Sequence, residues 1–296
     1  MTDQTQNPET EQPAEPQYPA VEPLSFAAFM ERRGGSVREG YTEFATYGSL
    51  PEVLTQTTPQ DKAACLTRLY ADVYLPAVAQ IDRVRDQRFL EELVDALAKG
   101  VGLPLTTLQI VGSYSQRMRM AVTPEMAGRH LTYLERAQLV DHARRCNLKN
   151  GTYLGTPFKF YFADAGLRNV RTGFEGANDL GLVENVVFNE LKRRGYRADM
   201  GVLTLHTTGE NGEPAQEQIG IDFACDKGDA LCCIQIEPEL ADAAALEQAQ
   251  HPLVQLNDDV KKLIVTAEGP EPFTTEAGVL VMNVRDFLLD EGCLDA

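Results

Sequence analysis

The chain has no apolar run near the ~18 residues that a membrane-spanning helix needs. Its N-terminus has no basic segment leading into an apolar one, so no signal peptide is expected. Bases are scarce: 27 Lys and Arg stand against 44 Asp and Glu, a net charge of −17. That balance excludes a protein that coats nucleic acid or an anionic membrane with its whole surface, but not one with a local basic face. The six cysteines, at 65, 146, 225, 232, 233 and 293, form no CxxC pair. Three of them fall in strand-like segments, where buried reduced thiols are expected rather than zinc ligands. The four histidines, at 130, 142, 206 and 251, show no ligand spacing and are expected to be structural. There is no GxSxG, no GxGxxG after a strand and no Cys-His nucleophile pair. A cytoplasmic protein without a membrane partner is the expectation.

With 296 residues, 43% of them apolar, the chain is long enough for two modest cores. Residues 1–22 carry Thr, Gln, Pro and Glu but no Lys or Arg, too little to bury, and are expected to be a disordered tail. Residues 23–100 read as a helical segment. PLSFAAFMERR ends at Gly34-Gly35, residues 40–54 form two helices about a Gly-Ser turn, and two strongly periodic stretches follow. Pro76 is expected to kink or end the first of these stretches. Residues 101–172 place a short helix after Thr106-Thr107 and a second with Thr123 as N-cap and Pro124 in the first turn. The strand-like pieces VDHARRC and KFYFAD follow, and helices followed by a hairpin are the winged-helix order. Residues 173–296 hold a helix, GLVENVVFNELKRRGY, and three strand-like segments, YRADMGVLTLH, QIGIDFAC and ALCCIQIE. An alanine-rich helix, the short buried strands KKLIVTAE and GVLVMN, and a terminal helix complete the chain. The expected fold class is α/β.

Several strings then carry a resemblance together: YGSLPEVL, KFYFADAGLRN, LVENVVFNELKRRGY, IDFACD, IQIE and DDVKKLIVT, in that order. They resemble the C-terminal region of a bacterial and archaeal family of AAA-type ATP-binding proteins. In that family a P-loop ATPase is followed by a winged helix and a PD-(D/E)XK-like domain of unknown function. The resemblance covers nearly everything from Pro23 onward, and PLSFAAF looks like the sequence that closes the ATPase part. No GxxxxGK[ST] string is present, so the backbone cradle and Lys that hold nucleotide phosphates are missing. The resemblance therefore implies a family member without its motor, and no ATP-binding residue is carried over.

A PD-(D/E)XK nuclease binds Mg²⁺ with an Asp at the end of one strand and a Glu on the next. A Lys two residues on assists, and a helical Glu can join. The resemblance places Glu184 on the helix, Asp222 on the middle strand, Gln235 where the metal-binding Glu belongs and Glu237 where the Lys belongs. Gln235 and Glu237 share one face because strand side chains alternate. Gln is a poorer Mg²⁺ ligand and Glu for Lys reverses a charge, so a degenerate site used for binding is the first expectation. The alternative is a Mg²⁺-dependent nuclease using Glu184, Asp222 and Glu237, with metal on Asp222 and Glu237 and a displaced cation from Lys192. Residues 112–172 hold ten bases and four acids, whereas residues 217–296 hold four bases and seventeen acids. A basic winged-helix face with Arg129, Tyr133, Arg144, Arg145 and Lys149 nearest the phosphates makes DNA a candidate partner. A separately encoded ATPase is the other.

Overall fold

The computed structural model describes residues 22–81, 87–118, 122–175, 179–208, 213–228 and 230–295. The polar tail expected over residues 1–22 lies outside them except for Glu22. The first part is helical: α1 (Phe26–Arg33), α2 (Val37–Tyr47), α3 (Pro51–Leu54) and α4 (Pro59–Leu69). A π-helical turn, Tyr70–Tyr74, then leads into α5 (Leu75–Ile81). The helix does not end at Pro76. The wider turn just before it accommodates the missing N–H and lets the helix resume. Next come α6 (Gln87–Lys99), α7 (Thr107–Met118) and α8 (Pro124–Arg136). Side-chain oxygens of Ser25, Thr58 and Thr123 cap α1, α4 and α8 by accepting N–H groups of their first turns.

Three short strands follow, β1 (Val140–Ala143), β2 (Arg145–Asn147) and β3 (Lys159–Phe162), then α9 (Ala165–Arg171) and α10 (Leu180–Arg193). A long hairpin, β4 (Arg197–Thr208) and β5 (Pro214–Lys227), runs into β6 (Ala230–Glu237). The chain closes with α11 (Ala243–Val254), β7 (Lys261–Thr266), β8 (Phe273–Thr274), β9 (Leu280–Asn283) and α12 (Val284–Leu289). β1 and β3 pair antiparallel, and the other seven strands form one mixed sheet in the order β2-β4-β5-β6-β7-β9-β8. The molecule is thus mixed α/β, with a helical N-terminal part and a mixed sheet.

The segment VDHARRC is not one strand. It breaks at Arg144, whose N–H donates to Asp199 Oδ1 (3.0 Å) while its carbonyl accepts from Met200 N (2.8 Å). From there β2 runs parallel to β4, Arg145 opposite Met200. The hairpin begun in the small sheet is thereby stitched to the large one. Asp199 is buried and also accepts from the Tyr153 hydroxyl at 2.8 Å.

Three apolar clusters hold these layers. α4 to α8 pack around Leu66, Phe89, Leu93 and Leu134, with Phe160 and Phe162 of β3 among them. One face of the large sheet (Phe223, Ile234, Ile236, Val265) meets α10, α12 and, through Phe26 and Phe29, α1. The other face (Ile221, Cys233, Ile264) meets Ala249 and Leu253 of α11. Strands buried on both faces account for the continuous apolar strings that replace alternation in β6, β7 and β9. Two parts of the chain far apart in sequence are also tied by polar contacts. Buried Asp164 accepts N–H groups from Ser49, Gly166 and Leu167, and Asn169 donates to the Ala45 and Thr46 carbonyls. Gly48 sits at φ +71 with an added Cβ 1.9 Å from Asp164 Oδ1, so no other residue fits that turn. Among the described residues no helix is long and apolar enough to cross a membrane.

Candidate functional site

Three elements converge on one charged cluster. Lys159 and Tyr161 alternate with buried Phe160 on β3, so both point to the same side, onto α10. There Lys159 Nζ stands 2.8 Å from Glu184 Oε2 and 2.8 Å from Asp222 Oδ1, and the Tyr161 hydroxyl donates to the same Glu184 oxygen at 3.0 Å. Glu184 comes from the second turn of α10. That helix starts close beneath the turn at Val101-Gly102, because Gly181 has no side chain: a Cβ there would lie 2.2 Å from the Val101 carbonyl oxygen.

Asp222 is placed by an irregularity in β5. The register moves from Asp199↔Ala224 to Gly201↔Ile221, which leaves Asp222 and Phe223 together opposite Met200, a bulge. The β5–β6 ladder begins only at Phe223↔Ile234. Beyond that pair the Ile236 N–H donates to Asp222 Oδ2 at 3.0 Å instead of to a strand carbonyl. One carboxylate oxygen therefore holds β6 and the other faces Lys159. A cavity of about 500 Å³ opens over the cluster, lined among others by Lys159, Glu184, Asp222, Arg145 and Gln218.

The charges are strongly coupled. Burial pushes Glu184 up to about 7 despite the facing Lys159 ammonium, and the neighbouring Asp222 carboxylate pushes it the same way. Lys159 is raised above its ordinary value because the attraction of Asp222 and Glu184 outweighs the cost of burial. Lys159 is therefore held as a cation, and the Tyr161 hydroxyl, pushed far up by burial, is held as a donor.

Gln235 and Glu237 alternate with Ile234 and Ile236, which enter the core beneath α10, so their side chains share the opposite face with Cys233, toward α11. Burial and the charge of Asp222 raise Glu237. The Gln235 side-chain oxygen is buried without a hydrogen-bond partner among the described residues. Lys192 is remote from the cluster and pairs with Asp141 at 2.9 Å on the surface, so it is not the cation of this site. That role falls to Lys159, which motif reasoning missed. Its only sequence signal is the alternation of Lys and Tyr in KFYF, a polar pair where a buried strand is expected.

The donor set does not fit a Mg²⁺ ion. The ammonium of Lys159 occupies the space between Glu184 and Asp222 where a metal shared by that pair would sit, and Gln235 brings no charge. Among the described residues no group of three or more His, Cys, Asp or Glu side chains is arranged to hold a metal.

The bases counted in residues 112–172 do not form one face. Lys159 is in the cluster, buried Arg168 donates to the Ala98 carbonyl, and Arg171 pairs with Asp95 at 2.6 Å. The side chains of Arg117 and Arg119 lie outside the described residues. Arg129 and Arg136 are exposed on α8, and Tyr133 is half-buried with its ring 5.6 Å from that of His130. On the hairpin, Arg144 lies 3.6 Å over the Tyr153 ring and Arg145 donates to Gln218 at 3.2 Å, while Lys149 is exposed in the turn.

Residues 38–178 match a family described as a domain of unknown function (DUF8612). That span contains Lys159 and Tyr161 but stops short of Glu184 and Asp222. An uncharacterised protein of Haemophilus influenzae is 28% identical over 274 residues, 91% of this chain and 64% of that protein. The chain thus spans less than two thirds of that relative's length. No solved structure matches.

Proposed function

We propose that this chain is a non-hydrolytic nucleic-acid-binding protein, built as a winged helix joined to a PD-(D/E)XK-type scaffold whose reaction centre is closed by its own lysine. The observation that carries this is Lys159, 2.8 Å from both Glu184 and Asp222. An internal cation sits between the two carboxylates that a nuclease would turn to a metal. The winged-helix part of the reading is supported by the order α6, α7, α8 and the β1–β3 hairpin, with Leu105 bridging Phe158 as a third, minimal strand. The nuclease-type part is supported by a helical Glu184 and a strand Asp222 converging on one cavity at a splayed strand pair.

In this reading α8 and the hairpin turn present Arg129, Tyr133, Arg144, Arg145 and Lys149 to phosphates. Arg144 and Arg145 are held in place by Tyr153 and Gln218, so little side-chain entropy is lost when they bind. Carrying these bases on α8 and the hairpin of an acidic protein also limits non-specific coating.

The test is incubation of the purified protein with plasmid and branched DNA in Mg²⁺ or Mn²⁺, beside an Asp222→Ala variant. Salt-dependent retention of uncut DNA is expected. Cleavage that disappears in the variant would establish the metal-dependent nuclease instead, using Glu184, Asp222 and Glu237. Neither cleavage nor retention would turn attention to a protein partner such as a separately encoded ATPase.

A further inference from the structure

We propose that the cavity over Lys159 and Glu184 reads a single unpaired keto base, thymine, uracil or guanine, of a nucleic-acid strand. The inference rests on the nucleic-acid reading above and names the ligand of the cluster that that reading leaves without a reaction.

The cavity has the size of small-ligand pockets, about 500 Å³. Its apolar lining suits the faces of a flat ring: Leu103, Pro104, Pro157, Val202 and Ile219. Leu103 is 59% exposed at the edge of this cavity.

The polar floor is specific. An ammonium has three donors, and Lys159 uses one each on Glu184 and Asp222, leaving one N–H for the cavity it lines. Glu184 accepts from Lys159 and Tyr161 through Oε2, and its Oε1 accepts from no described residue. Above pH ~7, where Glu184 is ionised, one donor beside one anionic acceptor matches the Watson–Crick edge of a keto base, where a carbonyl adjoins a ring N–H. Adenine and cytosine place a ring-nitrogen lone pair where that N–H would be, so it would face the carboxylate oxygen and be repelled. A base pair hides the edge, which restricts the site to unpaired strands. Arg145 lines the same cavity and lies on the hairpin that the previous reading assigns to phosphates. Strand and base are thus engaged from one side.

The mouth can be narrowed without touching the charges. Gly220 lines the cavity two residues before Asp222 on the same strand, and a Cβ built on it meets nothing within 4 Å. Its backbone is not in the left-handed region, so Gly220→Phe is not strained there.

The experiment is fluorescence anisotropy with oligo-dT, oligo-dC and a duplex of equal length, on the full chain and on Gly220→Phe and Glu184→Gln. The expected result is oligo-dT bound about tenfold or more tightly than oligo-dC. That preference should vanish in Gly220→Phe while duplex binding stays unchanged, and it should vanish in Glu184→Gln as well. Equal binding of dT and dC, or a preference that survives Gly220→Phe with the fold intact by thermal unfolding, overturns the base site alone. Loss of binding to every oligonucleotide by the unaltered protein overturns it together with the nucleic-acid reading. Should Glu184→Gln not fold, Gly220→Phe still decides between these outcomes.

Discussion

Among single side chains, Lys159 stands out as the only described cation in contact with both Glu184 and Asp222. Its side chain is 9% exposed, as is that of Glu184, so solvent does little of the neutralising. Removing one partner of a buried, hydrogen-bonded ion pair costs about 3–5 kcal/mol, since the other charges stay buried. Lys159→Met is therefore expected to lose roughly that much stability in urea unfolding near pH 8. The sign of its pH dependence follows from the carboxylates. Burial already holds Glu184 at about 7, and without the ammonium it rises further above its unfolded value. The folded variant then binds more protons than the folded unaltered protein only above about pH 7, so its deficit shrinks as pH falls toward 7 and is level below it. A loss under ~1 kcal/mol at pH 8 would show that the lysine is not needed to balance the two acids.

At the level of elements, the joins matter more than the elements. α8 is tied to β1 by Glu135 Oε1 and His142 Nδ1, 2.7 Å apart and both about a quarter exposed. Pairing with Glu135 raises His142 above its ordinary value. A raised histidine contributes stability that is full below its unfolded value near 6.5 and is lost as pH rises through its folded value. His142→Gln should accordingly destabilise more at pH 5.5 than at pH 8, and equal effects at the two values would remove the ion pair from the account. Much of this level is legible from residue types. Thr123 and Pro124 mark the start of α8, and apolar strings mark β6 and β7 because strands covered on both faces need no alternation. The break at Arg144 is not legible, since it depends on Asp199, fifty-five residues later in the chain. The passage of the helix through Pro76 is equally hidden, because a proline signal cannot register a π-helical turn upstream.

For the whole molecule, a net charge of −17 and a basic hairpin set opposite expectations for association. Distant acids are screened at physiological salt within ~8 Å, so in the proposed nucleic-acid complex contact bases would dominate there, while at low salt the acidic half would repel the strand. Each phosphate contact adds about −0.9 to the slope of log K against log salt for duplex DNA. Arg129→Ala with Lys149→Ala should then flatten that slope by about 2 and weaken all sequences alike. An unchanged slope in a titration across salt concentrations would place the duplex elsewhere on the surface.

Composition and local pattern determined the kind of molecule: a helical first part, three strands after an amphipathic helix, thiols buried in strands, and charge divided between the two halves. These follow from interactions a few residues long, such as caps, turns and apolar periodicity. The tertiary structure alone decided what the charged groups do. Glu184 and Asp222 are thirty-eight residues apart, and Lys159 precedes both by way of a different sheet. No spacing rule connects three residues from a hairpin, a helix and a bulged strand. Only the packing of α10 between the two sheets brings them within hydrogen-bond reach. The energetic reason is the cost of an unpaired buried charge, which is set by what surrounds it in space and not by what adjoins it in the chain.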